Sequence, residues 1–223
     1  MGYDVPPTSN ANYGWILNIV SKLSVNGTAG FLLANGALSG DGTELEIRKQ
    51  LLQNHLVEAI VILPRNMFYS TDISVTLWIL NNNKKARTVE QNGKMVKYRN
   101  REDEVLFIDL RQWGEPFEKK YIQFSTEQIQ QIAENFHNWQ RVGCEQTYHN
   151  EPEYCYSATL DEIEKKGWSL VPSKYIEFRN RDEQIDFDTK MKQLQADMRD
   201  LLQQEEESKQ QLKELFEKLG YNL

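Results

Sequence analysis

The hydrophobic positions of the first third of the chain form helical stripes and short, nearly continuous apolar runs. One stripe predicts an amphipathic helix over residues 11–24, ended by Asn26-Gly27, where a left-handed backbone is favourable. Its members are Tyr13, Ile16, Leu17, Val20 and Leu23. The apolar run from Thr28 to Asn35 lies between two glycines and predicts a strand that is buried on both faces of a parallel sheet.

Further patterns extend this layered arrangement. Thr43 and Glu46 have the spacing of a capping box, so a second helix is expected from Thr43 to His55. Buried strands are predicted at 56–63, 73–80 and 105–110. The segment between the first two of these is shorter than the dozen or so residues that a parallel crossover needs, so they should pair antiparallel. The order of elements predicts an α/β fold.

Beyond residue 114 the chain becomes more polar and its pattern becomes helical. Capping-box spacing recurs at Ser125 with Gln128 and at Thr159 with Glu162, which predicts two more helix starts. Residues 141–156 show neither a helical nor a strand period, so a loop is expected there.

The last part of the chain carries a narrow stripe at alternating spacings of four and three residues. Eight of its ten positions are apolar. The stripe comprises Phe187, Met191, Leu194, Met198, Leu201, Glu205, Ser208, Leu212, Leu215 and Leu219. This pattern predicts either a coiled-coil seam with a partner helix or a helix folded back on its own domain, and both remain open. The chain thus divides into residues 1–115, a helical connector at 116–182 and a long terminal helix at 183–223.

Composition adds few constraints. A chain of 223 residues with 39% hydrophobic residues can bury one sizeable core. No apolar run reaches the roughly 18 to 20 residues of a membrane span, and the start lacks the features of a secretory signal, so a cytoplasmic location without a membrane partner is expected. Cys144 and Cys155 lie in a polar segment without metal-ligand spacing, and no metal site is predicted.

The charge is unevenly distributed. The formal net charge is −7, which argues against this chain gripping DNA by itself. Residues 84–101, however, hold seven basic residues and one acidic residue, a local charge of +6 that leaves −13 for the remainder. The favoured interpretation is a solvated hairpin around the Asn92-Gly93 turn. The alternative is contact with DNA phosphates, for which the candidates are Lys94, Lys97, Arg99 and Arg101.

Several short stretches carry a resemblance when they are taken together and in order. They are Asn-Gly-Thr-Ala-Gly-Phe at 26–31, Leu-Ala-Asn-Gly at 33–36, Met-Phe-Tyr-Ser-Thr at 67–71, Leu-Phe-Ile-Asp at 106–109 and Leu-Gly-Tyr at 219–221. In this order they resemble the methylation subunit of type I restriction-modification systems, a DNA adenine N6-methyltransferase. The resemblance covers essentially the whole chain. It implies the C-terminal part of a class I, Rossmann-like methyltransferase sheet with an antiparallel terminal hairpin, followed by a helical tail.

The same resemblance implies that part of the chemistry is missing. The complete enzyme would use S-adenosylmethionine, which needs a glycine-rich turn, and the glycines at 36, 40 and 42 do not form that fingerprint. The acceptor clamp of the class is an Asn-Pro-Pro-aromatic motif. Val5-Pro6-Pro7-Thr8 is rejected as a counterpart, because valine cannot accept a hydrogen bond from the amine and threonine cannot stack on a base. No catalytic or cofactor-binding residue is therefore assigned, and the chain alone is expected to be inactive.

The candidate site residues follow from the resemblance to this fold. Phe68 and Tyr69 lie in a loop before the last strand of the methyltransferase sheet, where this fold commonly stacks a flipped adenine. The alternative for both rings is packing against the hairpin. Asn35 follows a strand and is a candidate for the pocket floor, although Asn-Gly after a strand is more often a simple turn.

The implied partners are DNA and the DNA sequence-recognition and restriction subunits of a type I complex. The terminal helices would dock on the recognition subunit, which would supply most of the DNA readout. A rival hypothesis is a non-catalytic interaction module, in which the sheet is a platform and the helix from 187 to 219 is the working surface.

Overall fold

The structure is a computed structural model that describes residues 2–144, 146–178 and 187–218. Its helices are α1 (Asn12–Lys22), α2 (Thr43–Gln53), α3 (Thr126–Gln140), α4 (Leu160–Lys165) and α5 (Phe187–Lys218), with short 3₁₀ helices at Asn35–Leu38 and Pro172–Lys174. Its strands are β1 (Thr28–Ala34), β2 (Val57–Ile62), β3 (Val75–Asn81), β4 (Arg87–Gln91), β5 (Lys94–Tyr98), β6 (Glu104–Asp109), β7 (Glu115–Phe117), β8 (Tyr121–Gln123) and β9 (Cys155–Thr159). The chain divides into two compact units, Met1–Arg179 and Asn180–Leu223.

A five-stranded mixed sheet organises the first unit, with the strand order β1-β3-β2-β6-β9. Strand β3 runs antiparallel to both of its neighbours, β1 and β2, while β2 and β6 are parallel. The predicted antiparallel pairing of the two strands on either side of residues 64–72 is confirmed, as is the α/β class. Because β1, β2 and β6 all run in the same direction, their carboxyl ends lie at the same end of the sheet.

Two hydrophobic clusters cover the two faces of the sheet. On one face, α1 and α2 pack against Ile60, Trp78 and Phe107. On the other face, α3 packs against Val61 and Ile108. The apolar side chains of β2, β3 and β6 are divided between the two clusters, because successive side chains of a strand point to opposite faces of the sheet. The helix predicted at 11–24 is confirmed as α1.

Strand β1 corrects the prediction of a fully buried parallel strand at 28–35. Within the described part of the chain it pairs with β3 alone, and antiparallel. All seven of its residues are exposed or half-buried, and the Leu32 side chain is 45% exposed. The apolar composition of the run is typical of a central strand, whereas among the described strands β1 is at the edge of the sheet, with β3 as its neighbour.

The start of α2 corrects a second prediction. Gly42, at φ +61°, is the N-cap, and neither side chain of the predicted pair caps the helix. Thr43 is already the first helical residue, so its hydroxyl is one position too late for the capping geometry. The capping boxes predicted at Ser125 with Gln128 and at Thr159 with Glu162 are both confirmed.

The segment expected to be a helical connector also contributes strands. Strand β9 begins at Cys155, inside the predicted loop, and pairs antiparallel with β6 as the last strand of the sheet. Strands β7 and β8 form a separate two-stranded hairpin. The division of the chain at residues 115 and 182 stays a prediction, while the structure adds these strands to the middle segment.

The predicted Asn92-Gly93 hairpin is confirmed as β4–β5, with both turn residues at positive φ. The second unit contains α5, which lies within the terminal helix predicted at 183–223; residues 183–186 and 219–223 and the side chain of Phe187 lie outside the described residues, so the predicted bounds stay a prediction. None of the helices in the described part of the chain is long and apolar enough to cross a membrane.

Candidate functional site

The carboxyl end of the sheet brings together three sequence-predicted residues. Asn35 follows β1. Residues 63–74, here called the aromatic loop, connect β2 to β3 at the same end of the sheet. Thr76, at the start of β3, donates a hydrogen bond from its hydroxyl to Asn35 Oδ1 at 2.5 Å. This bond joins the end of β1 to the base of the aromatic loop and orients the Asn35 amide.

The aromatic loop is closed by its own hydrogen bonds. Ser74 Oγ donates to the carbonyl of Leu63 at 2.6 Å, and Arg65 Nε donates to the carbonyl of Asp72 at 3.2 Å. Phe68 and Thr71 form an isolated β-bridge at the tip. The loop is therefore a compact turn that presents its tip residues in a defined orientation.

The two rings at the tip have different environments. Phe68 is half-buried and packs against the second hydrophobic cluster, whereas the Tyr69 side chain is 72% exposed. Tyr69 has surface available for a ligand, and Phe68 fixes the loop on the core while keeping part of its ring accessible.

Sequence reasoning missed Tyr121, the first residue of β8. Its ring meets the Tyr69 ring edge-on, with centroids 4.6 Å apart and planes at 70°. The contact depends on a hairpin that follows the sheet strand β6 and folds back over the aromatic loop. No periodicity in residues 115–123 signals such a long-range contact.

Asp109 is a buried carboxylate at the same end of the sheet. Arg111 donates from Nη2 to Asp109 Oδ2 at 2.6 Å and from Nε to both carboxylate oxygens at 3.0 Å. This hydrogen bonding raises the pKa of the Arg111 guanidinium above its usual value. Because both oxygens of Asp109 are engaged, this carboxylate is a structural partner and not a free base.

The structure separates the basic candidates into two pairs. Lys94 and Lys97 are exposed on β5. Arg99 instead makes a bidentate pair with Glu104, with N–O distances of 2.7 and 2.8 Å. Arg101 is 1% exposed and donates from Nε to Glu58 Oε1 at 2.9 Å. The expectation of phosphate contacts therefore has to be corrected for Arg99 and Arg101, because their guanidinium groups are committed to carboxylates of this chain.

Lys84 likewise contributes nothing to the surface charge of the hairpin. Its ammonium is buried and donates to the carbonyls of Val57 at 2.8 Å and Glu104 at 2.6 Å. Burial lowers the pKa of Lys84 to about 8. Lys84 lies in the connection between β3 and β4, and Arg101 follows β5, so the two side chains tie these connections to the amino ends of β2 and β6. The local charge of +6 thus overstates what the hairpin presents to solvent.

The β4–β5 hairpin lies at the opposite end of the sheet from the aromatic loop. It is inserted between the carboxyl end of β3 and the amino end of β6. The six residues of β2 that separate the two ends span about 20 Å. The structure does not bring the predicted base pocket and the predicted phosphate contacts into one site.

Comparison with known proteins bears directly on this arrangement. A family profile described as N-6 DNA Methylase matches residues 1–184. The chain belongs to the N-6 DNA methylase family. It is 35% identical over 217 residues to the type I restriction enzyme MjaIX methylase subunit of Methanocaldococcus jannaschii and 34% identical over 221 residues to the HindI methylase subunit of Haemophilus influenzae. These alignments cover 97% and 98% of this chain but only 36% and 46% of the relatives.

Solved structures support the same fold. The methyltransferase subunit of a type I restriction-modification system from Streptococcus thermophilus superimposes with a TM-score of 0.64 at 22% identity, over 78% of this chain and 32% of that one. The EcoKI M protein superimposes with a TM-score of 0.56 at 15% identity, over 79% of this chain and 40% of that one. The predicted resemblance to type I methylation subunits and the predicted Rossmann-like methyltransferase fold are thereby confirmed.

The glycine-containing loop after β1 does not fit S-adenosylmethionine, the methyl donor that the family implies. The carbonyls of Gly40 and Ala37 accept hydrogen bonds from the buried Arg48 Nη1 at 2.9 Å and from Tyr13 Oη at 2.7 Å. A β-carbon on Gly40 would lie 1.8 Å from Glu44 Oε2, so this glycine accommodates a carboxylate of its own chain. Ala37 and Leu38 of this loop pack in the core and the space beside Gly40 is filled by Glu44, so no cofactor contact is assigned to the loop.

Proposed function

We propose that this chain is the carboxyl-terminal part of a type I DNA methyltransferase subunit that, when complete, transfers a methyl group from S-adenosylmethionine to adenine N6 in DNA. The observation that carries the proposal is the family match over residues 1–184 on a sheet in which β3 runs antiparallel between β1 and β2. The aromatic loop at the carboxyl end of that sheet supplies a surface for the target base.

The free edge of β1 supports the view that further strands complete the sheet. Within the described residues no strand pairs with the outer edge of β1. A seven-residue edge with an exposed Leu32 leaves backbone donors and acceptors open to another strand. The chain also spans less than half the length of the two methylase subunits named above. We therefore expect the rest of the complete subunit to pair at this edge and to provide the cofactor turn and the acceptor clamp.

Calorimetric titration of S-adenosylmethionine into the 223-residue chain tests this incompleteness. We expect no binding by the chain alone and stoichiometric binding by a complete subunit that contains it, which serves as the matched control. Stoichiometric binding by the 223 residues alone would contradict the proposal, because it would place a full cofactor site in this chain.

The target base is proposed to stack at the aromatic loop. An exocyclic adenine amine is reached only after the base leaves the duplex, and an aromatic ring stabilises the flipped base by about 1–3 kcal/mol. Tyr69 offers an exposed ring for this contact and Phe68 a half-buried one. Asn35, held by Thr76, lies at the same edge and is proposed to shape the pocket floor.

The test is methylation of a cognate duplex by the complete enzyme carrying Phe68→Ala or Tyr69→Ala. We expect each variant to lower the methylation rate by about 5- to 100-fold, the equivalent of the stacking energy, while cofactor affinity stays unchanged. Met95→Ala is the matched control, since Met95 is 69% exposed on the β4–β5 hairpin at the other end of the sheet. If both aromatic variants turn over like Met95→Ala, the base-site assignment is wrong.

A second candidate function is a non-catalytic docking module, and α5 favours it. This 32-residue helix forms the described part of the second unit and keeps its apolar stripe 41–61% exposed. The exposed stripe residues are Met191, Leu194, Met198, Leu201, Leu212 and Leu215. We propose that the stripe docks on the DNA sequence-recognition subunit of a type I complex, which also contains the restriction subunit. Size-exclusion chromatography should show assembly with the recognition subunit, and removal of residues 183–223 should abolish it.

A further inference from the structure

The β7–β8 hairpin, residues 115–123, is anchored mainly to the aromatic loop. Ile122 N donates to the carbonyl of Asn66 at 3.0 Å, and Lys120 Nζ lies 3.6 Å from Asp72 Oδ1. Within the described residues, neither hydrophobic cluster of the sheet includes a hairpin side chain. The hairpin thus contributes little to the core, and its contacts with the loop call for another explanation.

An aromatic side-chain contact, the ring pair of Tyr121 and Tyr69, also crosses this junction. An edge-on arrangement at 4.6 Å restricts the rotation of the Tyr69 ring, yet that ring remains 72% exposed. Lys120 Nζ lies 5.1 Å from the centroid of the Tyr121 ring and limits its movement in turn. The hairpin therefore orients the one exposed ring of the loop without covering it.

We infer that the β7–β8 hairpin is a second wall of the target-base site and that Tyr121 is a positioning residue, which holds the Tyr69 ring in the orientation that stacks on the flipped adenine. This inference rests on the proposed function. A Tyr69 ring that Tyr121 already holds loses less conformational freedom when the adenine stacks on it, so Tyr121 is expected to stabilise the base-flipped complex.

Steady-state kinetics of the complete enzyme with a cognate duplex test the role of Tyr121. We expect Tyr121→Ala to lower kcat/KM for DNA by about 3- to 10-fold, the factor that corresponds to an aromatic pair. Tyr121→Phe should keep the wild-type value, because the contact is made by the ring. Met95→Ala is the control, since Met95 is 69% exposed on the β4–β5 hairpin at the other end of the sheet.

Two further readouts separate positioning from a merely structural role. A duplex with 2-aminopurine in place of the target adenine should show less base-flipping fluorescence with Tyr121→Ala, at unchanged S-adenosylmethionine affinity. In the Tyr69→Ala background, Tyr121→Ala should have no additional effect. An additive loss in that background, an equal loss from Met95→Ala, or wild-type kinetics of Tyr121→Ala would each overturn the inference.

The failure of this inference is distinguishable from that of the proposed base site. If Tyr69→Ala lowers methylation and Tyr121→Ala does not, only the role of Tyr121 is wrong. If Tyr69→Ala and Phe68→Ala are both without effect, the proposed base site is wrong, and the assignment of Tyr121 falls with it.

Discussion

Replacing Arg101 by methionine tests whether the basic segment serves the fold or the DNA. Arg101 and Glu58 are both fully buried as an ion pair with an N–O distance of 2.9 Å. Methionine keeps much of the side-chain volume and removes the charge. If Arg101 were a phosphate contact, this change would weaken DNA binding and leave the stability of the fold nearly untouched.

The size of the expected effect follows from the partners of Glu58. Gln140 Nε2, at 2.9 Å, is the hydrogen-bond donor that would remain to this carboxylate within the described part of the chain. Removing one partner of a buried pair costs about 3–5 kcal/mol, because the other charge is left uncompensated. Lys84 provides a second positive charge near Glu58, which places the expectation at the lower end, about 3 kcal/mol. For a domain of this size that is a decrease in Tm of roughly 6–12 °C.

Thermal unfolding followed by circular dichroism measures this decrease. Lys97→Met is the matched control, since it removes an exposed cation from neighbouring β5 and is expected to change the free energy of unfolding by less than about 0.5 kcal/mol. The double variant Glu58→Gln with Arg101→Met should recover part of the loss, because the carboxylate that Arg101→Met leaves without its guanidinium partner is then removed as well. Equal Tm values for Arg101→Met and Lys97→Met would refute the structural role and restore Arg101 as a candidate for DNA contact.

Three further predictions concern stability and DNA binding. The pKa of Lys84 is about 8 in the folded chain against 10.5 in the unfolded chain, so the unfolded state binds more protons at pH values between the two. The Tm of the wild type should therefore rise relative to that of Lys84→Met from pH 7.5 to pH 9.5. A constant difference between the two Tm values would contradict this. Gly114→Ala should lower the free energy of unfolding, measured in urea, by about 1–3 kcal/mol, which is more than Gly93→Ala. A β-carbon on Gly114, at φ +98°, would lie 2.3 Å from a side-chain carbon of β8, whereas a β-carbon on Gly93 would have no heavy atom within 4 Å. Fluorescence anisotropy of DNA binding by the complete complex at several salt concentrations gives the salt dependence of the affinity. The double change Lys94→Glu with Lys97→Glu should lower the slope of this dependence by the equivalent of about two phosphate contacts. An unchanged slope would mean that both lysines are solvated and do not contact DNA.

Local patterns predicted the parts of the fold that local interactions determine. The stripe from Tyr13 to Leu23 reports a helix because its own spacing defines the face that is buried. The β2–β3 pairing followed from the length of the aromatic loop, which is too short for a parallel crossover. The Asn92-Gly93 turn was readable because few residues adopt positive φ at two successive positions.

Properties that depend on distant partners were not readable from the sequence. Arg101 looks like one more surface cation until β2 places Glu58 beside it, 43 residues earlier in the chain. The residues of β1 have a core composition, and only the strand order shows that they form an edge. Tyr121 has no local signal at all, because its contact with Tyr69 depends on a hairpin that folds back over the aromatic loop.

We propose that this chain supplies the target-base side of an adenine N6-methyltransferase. The most direct test is mass spectrometry of nucleosides from a cognate duplex that has been incubated with S-adenosylmethionine and the complete enzyme containing this chain. We expect N6-methyladenine with the wild-type chain and a marked decrease when Phe68 and Tyr69 are both replaced by alanine. A methylated cytosine, or an undiminished yield of N6-methyladenine from the double variant, would contradict it.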